Sequence, residues 1–97
     1  MNTRTPPSML MYYVYVLKSA KDGNYYVGFT ANIEERIKRH YEGRSKATKS
    51  RQPISLVGYK EFSNKNEAQS CEREFKKYRT RQFIEKKLAE WSGNSIA

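Results

Sequence analysis

Residues 12–30 read YYVYVLKSAKDGNYYVGFT. The β-branched and aromatic run at 12–18 favours an extended strand. Asp22-Gly23 marks a tight hairpin turn, and YYVGFT at 25–30 makes the returning strand. With Asp22-Gly23 as a two-residue tip, Ser19 lies opposite Tyr26, Leu17 opposite Gly28, and Tyr15 opposite Thr30. Side chains alternate along a strand. Tyr13, Tyr15, Tyr26 and Gly28 therefore share one face, and Tyr25, Val27 and Phe29 line the other.

Working outward from the hairpin, Asn32 is a good helix N-cap, and Glu35 completes a capping-box pattern. Glu34–Lys38 and Glu35–Arg39 support the outer face of that helix, and Gly43 is a natural stop. RSKATKSRQP at 44–53 is a polar loop with four cations and no acid. ISLVGYKEF at 54–62 reads as a third strand. Asn64 and Glu67 start a second helix with Ala68, Cys71, Phe75 and Tyr78 along its apolar stripe. Thr80 caps a third, with Phe83, Ile84, Leu88 and Trp91 inward. The order is β-β-α-β-α-α. It implies an α+β fold with a small three-stranded, mainly antiparallel sheet flanked by about three helices. The domain is expected over 12–91. Residues 1–11, with Pro6 and Pro7, are expected as a flexible lead-in, and 92–97 as a frayed tail.

A chain of 97 residues supports one modest core. Hydrophobic residues make up only 37%, yet eight tyrosines help raise the aromatic share to 13%, suggesting core positions that border polar groups. The formal net charge of +9 points to a polyanionic partner, nucleic acid first. Cys71 is the single cysteine, so no intramolecular disulfide forms, which fits a reducing, cytoplasmic setting. No apolar run approaches the roughly 18 residues of a membrane span, and MNTRTPPSML is too short and polar for a secretion signal.

At about 100° per residue, Arg36 and His40 fall on the inward half of the first helix with Ile33 and Ile37. An inward arginine beside tyrosines is either paired with a carboxylate or kept for an anion. Spacing leaves the two readings level. A lone His40 is more often a satisfied core histidine. In the loop, Arg44, Lys46, Lys49 and Arg51 suit sequence-independent phosphate contact, with Thr48 and Ser50 as added hydrogen-bonding groups. A solvated mobile loop is the alternative. Around the second helix, periodicity does not choose among Glu67, Glu72 and Glu74.

Taken together, these segments resemble the GIY-YIG nuclease superfamily, most of all its short stand-alone bacterial members. YVY at 13–15 stands for the first signature, with Tyr13 and Val14 replacing Gly-Ile, and YVG at 26–28 for the second. Tyr15 and Tyr26 are eleven positions apart, and Arg36 follows Gly28 by eight. His40 lies one turn further on, and Glu72-Arg-Glu-Phe75-Lys76 fits the context of the family glutamate. Phe29 stands where some members carry lysine.

The resemblance implies metal-dependent hydrolysis of phosphodiesters in nucleic acid, DNA ahead of RNA. It assigns Arg36 to the phosphate, Tyr15 as general base with His40 on its hydroxyl, and Tyr26 to orient water or phosphate. Glu72 would be ligand to Mg²⁺ or Mn²⁺. Gly28 would leave room for the phosphate. The alternatives are a binding module with little or no catalysis, or a subunit of a nucleic-acid-processing complex that docks through Trp91 and the last helix.

Overall fold

The computed structural model describes residues 11–44 and 48–95, with side chains up to Trp91. Residues 1–10 of the expected lead-in, Lys46 and the last two residues of the expected tail lie outside the described residues. In chain order the elements are β1 (Tyr12–Ser19), β2 (Tyr25–Thr30), α1 (Ile33–Tyr41), β3 (Ile54–Phe62), α2 (Lys65–Lys77) and α3 (Arg81–Ser95). A short 3₁₀ turn covers Lys49–Arg51. This is the expected β-β-α-β-α-α order and an α+β fold.

The strands form one antiparallel sheet in the order β2-β1-β3. The central strand is covered on both faces, which is why its sequence is an unbroken apolar run. Val14 and Val16 are fully buried against Ala68 and Phe75 of α2 and Ile84 and Trp91 of α3. Tyr15 and Leu17 face the other way, toward Ile54 and toward Ile33 and Ile37 of α1. One helix thus covers one face and two helices the other.

The hairpin register differs from the expected one. Tyr15 pairs with Gly28, Leu17 with Tyr26 and Lys18 with Tyr25, two residues away from a two-residue tip. The cause is Ser19. Its hydroxyl accepts from the N–H groups of Lys21 (3.1 Å) and Asp22 (3.3 Å) and donates to the Arg51 carbonyl (2.7 Å). These bonds draw the chain into a wider loop, closed by Ser19 N–H to the Asn24 carbonyl at 3.0 Å. A slip of two preserves side-chain parity. Tyr13, Tyr15, Tyr26 and Gly28 therefore still share a face.

The caps form where the residue types call for them. Asn32 accepts from Glu35 N–H at 3.1 Å, Asn64 from Asn66 and Glu67 N–H at 2.8 and 3.1 Å, and Thr80 from Phe83 N–H at 3.1 Å. Gly43 ends α1 with φ 74°, a left-handed conformation that favours glycine. Two expectations change. Tyr78 does not join the inward stripe. It sits at the C-cap of α2, where helical periodicity has already broken, and is half exposed. Trp91 is no docking residue, because its ring is buried with its centroid 5.2 Å from that of Phe75. Beyond it α3 continues to Ser95, into the stretch expected as tail.

Candidate active site

Tyr15 projects from the centre of the sheet toward α1, and His40 meets it from the last turn of that helix. The Tyr15 hydroxyl and His40 Nε2 are 3.0 Å apart in a buried contact, and the rings pack edge to face. On the far side of the imidazole, Nδ1 lies 2.7 Å from the hydroxyl of fully buried Thr48. His40 O, in turn, accepts from the Gln52 amide at 2.6 Å. Burial pushes the His40 pKa down, and the neighbouring Arg36 and Arg39 push the same way. A neutral imidazole carries one ring proton. With that proton on Nδ1 and donated to Thr48, Nε2 accepts the Tyr15 proton. The other tautomer reverses both bonds.

Gly28 lies directly across from Tyr15, and the reason for glycine is steric. A Cβ at this position would collide with the Tyr15 ring and hydroxyl. The expected gap for a phosphate is therefore filled by Tyr15, which crosses its neighbour strand to reach His40. Thr48 also changes role. Its hydroxyl is buried on His40 instead of being offered by a loop to nucleic acid.

Arg36 stands half-buried on the same helix face as His40. Burial pushes the Tyr15 pKa up; Arg36 beside the hydroxyl opposes that shift, Glu72 adds slightly to it, and the net direction is upward. Arg36 and Glu72 thus both act on one phenol, although they come from helices on opposite faces of the sheet. Among the described residues β2 is an edge strand, and Arg36 and Glu72 line one groove beside it. The groove, of about 800 Å³, wraps that edge, with Tyr15, Tyr26, Gly28, Arg36, His40 and Glu72 in its lining. The five residues expected to carry chemistry are thus brought to one cavity.

Glu72 is the one carboxylate in that lining, and its Oε2 lies 3.2 Å from Lys76 Nζ. Among the described residues, no group of three or more His, Cys, Asp or Glu converges. A single carboxylate in an open groove still fits a hard cation that keeps most of its waters and takes substrate phosphate oxygens. Lys76 engages one of its two oxygens and so competes with a cation for the carboxylate.

Other expected residues lie elsewhere or are already engaged. The Tyr26 hydroxyl donates to Asp22 Oδ2 at 3.1 Å. Asp22 also pairs with Arg51 at 3.4 Å, and Arg44 pairs with Glu42 at 2.9 Å. Arg44, Lys49 and Arg51 do not line the groove. Its further cations are Lys76, Arg79 and Arg81, which the sequence presents only as residues at the junction of two helices. Cys71 is half-buried and its thiol is pushed up to about 11, so it is unreactive at neutral pH.

The GIY-YIG catalytic domain family model matches residues 11–89. A UPF0213 protein of Clostridium perfringens is 46% identical over 76 residues, covering 77% of this chain and 81% of its own. The UPF0213 protein YazA of Bacillus subtilis is 40% identical over 67 residues, 68% of this chain and 67% of that one. The solution NMR structure of a UPF0213 protein from Bacillus halodurans superposes with a TM-score of 0.55 at 38% identity, covering 81% of this chain and 83% of that one. With nearly the whole described chain matched and the signature tyrosines and arginine gathered at one groove, the protein belongs to the GIY-YIG family.

Proposed function

We propose that the protein is a metal-dependent endonuclease that hydrolyses phosphodiester bonds in DNA or RNA, with DNA the first substrate to try. The observation that carries the reading is Tyr15 held at 3.0 Å by His40 in the groove that also holds Arg36 and Glu72. Phosphodiester hydrolysis needs a base for water and positive charge for the phosphorane. The Tyr15 oxygen takes a proton from water as its own hydroxyl proton passes to His40 Nε2. The depressed His40 pKa makes the imidazolium short-lived, so the proton is soon handed back to solvent. Arg36 binds the scissile phosphate and neutralises the charge that grows on its oxygens. Glu72 is the residue that would hold Mg²⁺ or Mn²⁺, which when bound supplies further positive charge to the phosphate and the leaving oxygen.

The test is cleavage of labelled single- and double-stranded DNA and RNA with Mg²⁺ or Mn²⁺. Activity is expected in the parent, with a loss of about 100- to 1,000-fold in Arg36→Ala and a comparable loss in Glu72→Ala. Equal activity in parent and Glu72→Ala sinks the proposal. A second reading, a binding module without turnover, draws support from the Glu72–Lys76 ion pair, which engages one oxygen of the carboxylate. Salt-dependent binding with no cleavage of any substrate favours it.

A further inference from the structure

We infer that Arg79 and Arg81, at the junction of α2 and α3, form a second phosphate subsite that holds the nucleic-acid backbone beside the scissile group. The identity of the ligand rests on the nuclease reading. The position of the subsite rests on the groove. Among the described residues its lining contains four cations, Arg36, Lys76, Arg79 and Arg81, against the single carboxylate of Glu72. Lys76 is neutralised by that carboxylate at 3.2 Å. Arg81 is partly offset by Glu85 at 3.7 Å, so the remaining positive charge sits on Arg36, on the α1 side of β2, and on the α2–α3 side, where Arg79 has no partner among the described residues. A chain of regularly spaced anions laid over the β2 edge meets both.

Arg81 is held ready for such a contact. Its Nη2 donates to the Gly23 carbonyl at 3.1 Å, its guanidinium lies 5.5 Å from the Tyr25 ring centroid, and Nη1 is 3.7 Å from Glu85. Glu85 in turn accepts from the Tyr25 hydroxyl at 2.9 Å. These contacts tie the hairpin loop to the first turn of α3. They fix an arginine whose ordering entropy is otherwise lost on binding. Arg79 is its complement. Among the described residues it makes no hydrogen bond or ion pair, and it is exposed on the short connection where Thr80 N–H bonds the Tyr78 carbonyl at 2.8 Å. One arginine is fixed and the other is free to follow the backbone, which suits a flexible polyanion better than a small anion.

The experiment measures binding in the full chain carrying Glu72→Gln, so that turnover does not consume the probe. Fluorescence anisotropy reads the affinity for a labelled dodecanucleotide and for a dinucleotide across a salt series. Arg79→Ala is expected to weaken the dodecamer about fivefold at low salt and to lower the salt slope by about one, leaving the dinucleotide unchanged. Arg79→Lys should keep most of the affinity. Arg73→Ala, an exposed arginine of α2 outside the groove, controls for diffuse charge. Equal weakening by Arg73→Ala and Arg79→Ala overturns the subsite, as does unchanged binding in Arg79→Glu. If no substrate is ever cut but Arg79→Ala still weakens the dodecamer selectively, the subsite stands and the nuclease reading falls.

Discussion

The Tyr15 hydroxyl and His40 Nε2 are joined at 3.0 Å, and the imidazole is pinned from behind by Thr48 at 2.7 Å. The three residues come from the central strand, the last turn of α1 and the segment that folds back after it. The ring has little freedom, since both nitrogens are engaged.

Thr48 is thereby a positioning residue. Thr48→Val keeps the shape but leaves His40 Nδ1 unpaired in a buried place, at a cost of about 1–3 kcal/mol. We expect kcat to fall about tenfold with KM little changed, and Thr48→Ser to restore most of it. Steady-state kinetics on the two variants check this. An unchanged kcat in Thr48→Val contradicts the role.

Gly28→Ala tests the crossing of the strands. The added methyl group meets the Tyr15 ring, and overpacking of this kind costs about 1–3 kcal/mol. The double variant Gly28→Ala/Tyr15→Ala should be less destabilised than the sum of the singles in urea unfolding, because the collision is then gone. Additive values would mean that the two residues do not oppose each other.

The hairpin also shows what the sequence makes legible. Strand faces could be read because parity survives a slip of two. The register itself could not, because it depends on the Ser19 hydroxyl bonding backbone groups of the loop and of distant Arg51. The same holds at the site. Arg36 and His40 share a helix face by periodicity alone, whereas Thr48 reads as a loop hydroxyl until the chain folds back onto the imidazole. Arg79 and Arg81 carry no local signal at all. They reach the groove only because α2 and α3 pack on the far side of the sheet.

Activity should rise with pH. Tyr15 is held above its ordinary pKa by burial and is protonated at neutrality. In the relay His40 must be neutral to take the Tyr15 proton, so log kcat/KM is expected to climb with a slope of about one as pH rises through the lowered His40 pKa and to level off above about pH 6.5. Arg36→Gln, which removes a cation that pushes the His40 pKa down, should move the climb to higher pH as well as lowering its height. A profile with no fall below about pH 6.5 rules out His40 as the acceptor of the Tyr15 proton.

Stability should follow a different window. The His40 pKa is depressed in the folded chain, so between about 6.5 and that lower value the unfolded chain binds more protons. The His40 contribution is therefore fully present above about pH 6.5 and is lost as pH falls toward the folded value. Urea midpoints should decline across that interval in the parent and decline less in His40→Gln. Equal declines would assign the effect to other groups.

Lys76→Met frees the Glu72 carboxylate from its 3.2 Å partner. An exposed pair of this kind is worth at most about 1 kcal/mol, so the Mg²⁺ concentration giving half-maximal activity should fall a few-fold or less. Titration of activity against Mg²⁺ checks the direction. A rise would mean that Lys76 supports the site instead of competing for it.

Among the described residues the sheet is three strands wide, with β2 at one edge. Arg36 and Glu72 belong to opposite layers and line one groove because, among the described residues, no further strand extends the sheet there. A fourth strand added to β2 would widen the barrier between the layers by about 4.8 Å. Narrowness is thus a working dimension of the molecule, and growth of the sheet is open only on the β3 side.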